Sequence, residues 1–204
     1  RTRIVYFTLP NESIPVLVRR VTVKNIGATL ITADVLDGLP QVVPYGLDEH
    51  LLKQMSRTMQ AFAEIRHVDD HLPFYKLKVA PSDKSEVEWI NAGYFAITLQ
   101  HGQPVPIIAD PQQVFGTDTS LRTPLAFMSA DHLDPHDGRR ETLTGSAFAK
   151  ISLTLDAGES ASWDSYFGQT ADWEKAQSFR DRLIGDLQYS ERKRQSCQCP
   201  AFLA

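Results

Sequence analysis

From Ala147 to Leu155 the chain puts Ala149, Ile151, Leu153 and Leu155 on one face, and after Phe148 it places Lys150, Ser152 and Thr154 on the other. A period of two scatters an apolar stripe around a helix, so such a segment buries one face only as a strand. The pattern recurs. Val21 and Val23 oppose Arg20, Thr22 and Lys24; Ile31, Ala33 and Val35 share a face; Tyr75, Leu77 and Val79 alternate with Lys76 and Lys78. Val87 to Asn91 and Tyr94 to Leu99 read as strands joined near Gly93, and Val105 to Ala109 as a short strand among prolines. Ser160 to Phe167 follows a turn at Asp156–Glu159, with Trp163 and Phe167 on one face. Roughly eight to ten short strands that do not alternate with helices predict a mainly β fold. The expected form is a large antiparallel two-sheet supersandwich with one or two flanking helices.

Two segments break the rhythm. Leu51, Met55, Met59 and Phe62 recur at helical spacing behind an N-cap residue, Asp48, predicting a helix over about 49–66. Trp173, Ala176, Phe179, Leu183 and Leu187 predict a second over about 171–187. Asn25-Ile26-Gly27 supplies turn chemistry and suggests that the strands on either side form a hairpin. Asp37-Gly38 reads as a turn, and Pro40 and Pro44 as a rigid corner leading to the first helix. Residues 110–146 follow neither period, and long polar segments of this kind are functional or open. The division expected is a sandwich domain over 1–187 and an open tail over 188–204.

Lys and Arg number 21 against 25 Asp and Glu, a net charge of −4. Binding nucleic acid or an anionic membrane through charge needs clustered cations. The only cluster is Arg192-Lys193-Arg194, so neither partner is expected. No apolar run approaches the ~18 residues of a membrane span. The chain starts at Arg1 and enters a strand pattern at once, without a leader-like apolar run, and is expected to be a fragment or processed product. Cys197 and Cys199 are too close for an ordinary structural disulfide and too few for a zinc tetrad. Two reduced thiols suit a cytoplasmic location.

The histidines form two similar groups. His67 and His71 flank Asp69-Asp70, and His132 and His136 flank an acidic stretch containing Pro135. On a helix either pair would share a face and a metal, but Pro73 and Pro135 oppose helices and neither group shows a third ligand. Gly-x-Ser-x-Gly, Gly-x-Gly-x-x-Gly and the phosphate-binding Gly-x-x-x-x-Gly-Lys-Ser/Thr are all missing; Thr144-Gly145-Ser146-Ala147 is a partial echo of the first. No catalytic residue, metal or cofactor is expected in this chain.

Asp37-Gly38-Leu39-Pro40 followed by Pro44-Tyr45-Gly46 resembles the N-terminal β-sandwich of cellobiose phosphorylase-like proteins, the inverting glycoside phosphorylases. Similar pieces follow in order: Val21 to Asn25 before the motif, Met55-Ser56-Arg57-Thr58, Pro73 to Leu77 and Glu88 to Phe95. Then come Val114-Phe115-Gly116 with Leu121 to Pro124, and Leu155 to Glu159 with Tyr166-Phe167-Gly168. The resemblance covers about residues 15–187. It implies a galactose mutarotase-like supersandwich that braces a separate (α/α)6 barrel, makes dimer contacts and lends loops to a sugar site. The parent enzyme would act on β-linked gluco-oligosaccharides, with inorganic phosphate as nucleophile in the barrel, and carbohydrate is the expected partner. Tyr189 to Ala204 departs from the family pattern, since it does not lead into barrel helices.

On this reading the chain is a non-catalytic, carbohydrate-associated domain. Asp118 and Arg122, in the loop after Gly116, are the expected ligand-binding pair, because a guanidinium fork suits hydroxyls or phosphate. One alternative is a free-standing carbohydrate-binding module that stacks sugar on Trp89, Tyr94, Trp163 or Tyr166. Another is a mutarotase-like epimerase using His101, His132 or His136 as its acid.

Overall fold

The computed structural model describes residues 1–82, 84–129, 133–196 and 202–203. Strand outweighs helix, 39% against 21%. Among the described residues eleven strands form two antiparallel sheets: β1 (Thr2–Thr8), β2 (Val16–Lys24), β3 (Ile31–Val42), β4 (Ala63–Arg66), β5 (Phe74–Leu77), β6 (Gly93–Gln100), β7 (Gln103–Pro104), β8 (Ile107–Ile108), β9 (Gly145–Leu155), β10 (Ser160–Thr170) and β11 (Phe202–Leu203). The large sheet runs β11-β1-β2-β10-β6-β5-β4, with β7 beside β6, and the small one runs β3-β9-β8. The mainly β, two-sheet architecture with flanking helices is the one that the alternating segments predict.

The large sheet is buried on both faces because its central strands carry apolar residues at odd and even positions alike. On one face Ala96, Tyr75, Val21 and Trp163 meet Ala149, Ile151 and Leu153 of the small sheet. On the other, Val18, Phe95, Ile97 and Tyr166 meet α4 (Trp173–Gly185) through Ala176, Phe179 and Leu183. Phe179 is fully buried, with ring centroids 5.9 Å from Phe95 and 6.1 Å from Tyr166.

Several local expectations give way to the tertiary fold. β2 and β3 do not form a hairpin: β2 pairs with β1 and β10, while β3 pairs with β9 in the other sheet. The turn residues between them make a crossover. Buried Asn25 clamps it by donating through Nδ2 to the carbonyls of Thr29, Leu155 and Asp156, and by accepting from Gly27 N–H. The first helix, α1 (Glu49–Gln60), stops early because the chain reverses at Ala61–Phe62 and Ala63–Arg66 pairs with β5. Of the strand expected at Val87–Asn91 only one bridge forms, Val79 with Trp89. The region 110–146 contains two short helices, α2 (Pro111–Phe115) and α3 (Leu125–Ser129).

The expected open tail is also partly built. Tyr189–Ser196 forms α5, whose Tyr189 packs against the core and whose Ser190 is buried, and Phe202–Leu203 pairs with β1. Cys197 and Cys199 lie outside the described residues. Among the described residues no helix is long and apolar enough to cross a membrane.

Candidate functional site

Asp37 and Gly38 lie inside β3, opposite Ala149 and Phe148 of β9, and not in a turn. The strand continues through them because Val35, Asp37 and Leu39 all face the large sheet. A carboxylate so placed needs partners. Asp37 Oδ1 lies 2.8 Å from Arg19 Nη2 on β2, and Oδ2 accepts from Trp163 Nε1 at 2.9 Å and Ser165 Oγ at 3.2 Å on β10. Ser165 in turn shares a 3.0 Å hydrogen bond with Thr98 on β6. Arg19 also donates to the Gly38 carbonyl at 3.3 Å and sits over the Phe167 ring. Its Nη2 contact with Asp37 is Coulombic rather than an aligned hydrogen bond, and its buried Nε has no partner among the described residues. Gly38 sits so close to β9 that a Cβ there would lie 2.0 Å from the Ala147 carbonyl oxygen.

A cavity of about 760 Å³ opens at one end of the sandwich, walled by Leu17, Leu39, Val42, Tyr75, Ala96 and Phe167. Glu12 lies in its rim, with its side chain only 2% exposed, and is held by Arg182 at 2.8 Å, Lys193 at 3.7 Å and the Tyr189 hydroxyl. Burial alone would raise the Glu12 carboxyl, but the Tyr189 hydrogen bond and the Arg182 cation hold it below its ordinary range. The walls are mostly aliphatic and aromatic. Thr8, Ser13 and Gln169 add polar groups to the lining.

The two histidine groups, far apart in sequence, meet on the surface. Asp69 accepts from Arg140 Nη1 at 2.5 Å and Nη2 at 2.6 Å, and pairs with His136 Nδ1 at 2.7 Å. Those partners, Arg140 first, push the Asp69 carboxyl far down. The His71 and His136 ring centroids are 6.1 Å apart. Burial, aided by His136 and Arg180, lowers His71. His67 stacks on Trp173 at 3.8 Å and bonds Asp70. Among the described residues no set of three or more His, Cys, Asp or Glu side chains is grouped to hold a metal. His132 lies outside those residues.

Asp118 and Arg122 occupy one loop, but not as a facing pair of side chains. Asp118 Oδ1 accepts from the N–H and hydroxyl of Ser120, and Oδ2 from the N–H groups of Arg122 and Thr123. The Ser120 hydroxyl, then the loop amides, lower this carboxyl to about 2. The carboxylate therefore shapes the loop, while Arg122 itself is exposed. Of the four aromatic residues considered for sugar stacking, Trp163 and Tyr166 are core residues, whereas Trp89 is 70% exposed and Tyr94 37%. His101, at the β6–β7 turn, lines a second cavity with Arg20 and Asp164, away from His136. Sequence reasoning missed the Arg19–Asp37–Trp163 cluster. The available signal was a charged pair at inward positions of two alternating segments.

No protein-family model matches the chain, and a search of curated proteins finds no match either.

Proposed function

We propose that this chain is a non-catalytic β-sandwich module of a carbohydrate-processing protein of the glycoside phosphorylase type. It braces a catalytic domain that lies outside the chain, and sugar and phosphate are handled there. The observation that carries this reading is the placement of Asp37 and Gly38. The two residues on which the resemblance centres serve to lock one sheet against the other: one joins Arg19 and Trp163, and the other permits close approach to β9. A motif used in this way marks an architecture rather than a reaction. The Asp118–Arg122 loop stays a proposed point of sugar or phosphate contact in the assembled protein, through the exposed guanidinium.

A second reading, a free-standing carbohydrate-binding module, is favoured by one observation, the exposed Trp89 indole. Calorimetric titration with cello-oligosaccharides separates the two. The supporting-module reading predicts no saturable heat from this chain at millimolar sugar. Saturable binding that Trp89→Ala abolishes would replace it with the second reading.

A further inference from the structure

The small sheet does not cover the large one. β3 lies over β2, as the Arg19–Asp37 contact shows, and β8 lies over β6. The free edge of β3 therefore points toward β1 and β11, which extend the large sheet beyond it. From Ile31 to Leu39 the β3 ladder with β9 is regular, and among the described residues its other edge pairs with no strand. Below that edge lies a shelf. Ile4 and Tyr6 stand opposite Val21 and Arg19, so they face the same side of the sheet, and both are only half-buried. Ala33 is exposed although its position in β3 is an inward one, as expected where the covering layer ends.

Long edges are usually blunted by charge, proline or a bulge. Here the proline and the bulge sit at one end, at Pro40 and the register shift between Leu39 and Val42, while the inward charge of Asp37 is taken up by Arg19. Asp34 pairs with Lys150 at 2.9 Å and accepts from the Ser152 hydroxyl at 2.6 Å. The stretch Ile31–Leu39 is left as a template.

We propose that the β3 edge is a docking site for an extended polypeptide segment from another protein or domain. The segment adds a fourth strand to the small sheet and lies over Ile4 and Tyr6. Strand addition takes its affinity from the backbone ladder and its specificity from alternate side chains. The chemistry of the occupant follows. Residues two apart must be apolar to cover the Ile4–Tyr6 shelf, and the residues between them polar. A second copy fits poorly, because a two-fold through β3 would drive the projecting β1–β11 strands of both copies into the same space. This inference rests on the edge geometry and is independent of the carbohydrate reading.

The test uses the full chain and a labelled, acetylated peptide of about nine residues alternating valine with lysine and threonine. Saturable anisotropy is expected, together with slowed amide exchange confined to 31–39 and the shelf. A peptide N-methylated at alternate residues on its pairing edge should bind at least about tenfold more weakly. Tyr6→Lys, which leaves the β3 backbone intact, should weaken binding as well, with circular dichroism confirming the fold. Equal binding of the N-methylated peptide, or no protection at 31–39 at saturation, would overturn the proposal. So would concentration-dependent protection of that edge without peptide, which would assign it to a second copy.

Discussion

Arg19 on β2 and Asp37 on β3 meet between the two sheets at 2.8 Å, with side chains only 10% and 13% exposed. The pair lies in a largely apolar interface, beside the hydrogen bonds of Trp163 and Ser165 to the same carboxylate. Burying two charges costs about as much as their attraction returns, so the pair contributes little net stability relative to apolar residues. Its effect lies in what happens when half of it is removed.

Asp37→Ala leaves a buried guanidinium without its counter-charge and strips the acceptor from Trp163 and Ser165. Denaturant unfolding should report a loss of about 3–5 kcal/mol. Asp37→Asn, which keeps an acceptor for Trp163, should lose less. Equal stability of Asp37→Ala and the parent would show that the cluster does not clamp the sheets.

Gly38→Ala places a methyl group against the β9 backbone, where no flexible side chain can give way. Overpacking of this kind costs about 1–3 kcal/mol even where neighbours can shift. Gly185→Ala, at the end of α4, meets nothing within 4 Å and should be neutral or slightly stabilising. Thermal melts should therefore fall for Gly38→Ala and hold or rise for Gly185→Ala.

Acid should release α5 from the sandwich. Arg194 first, then Arg20 and Gln195, hold the Glu191 carboxyl down at about 2, against an ordinary value of 4.5. Because the folded value is the lower one, this stabilisation is complete above pH 4.5 and disappears as the pH falls toward 2. Glu12, also held low, adds in the same direction. Pepsin cleavage within Tyr189–Ser196 should rise across that window. Glu191→Gln should loosen the same helix at pH 7, seen as faster amide exchange there.

Trp89 and Trp163 should behave in opposite ways. Trp89→Ala removes an exposed ring and should change stability by less than about 0.5 kcal/mol. Trp163→Ala empties a core site and leaves Asp37 short of a donor, at a cost of about 3–5 kcal/mol. Urea titrations of both variants check the pair.

Local pattern carries the strands well: β9 and β10 lie where alternation puts them, and α4 where its apolar stripe predicts. Pairing is not a local property. Val21–Lys24 and Thr29–Val35 look like a hairpin, yet Asn25 reaches across to the β9–β10 turn and sends the chain into the other sheet. Asp37-Gly38 has turn composition, but in β3 glycine is chosen for close packing and aspartate for its ion pair. The meeting of His71 with His136 through Asp69 and Arg140 is invisible in either spacing alone, because the fold brings the two loops together. The β3 edge is likewise a property of sheet order, which one strand's sequence does not encode.

The most direct test of the supporting-module reading is proton NMR of the purified chain incubated with cellobiose and inorganic phosphate. The account predicts that the disaccharide signals persist at the rate of the buffer control, with or without phosphate. Phosphate-dependent or hydrolytic release of glucose by this chain alone, lost on unfolding, would contradict it.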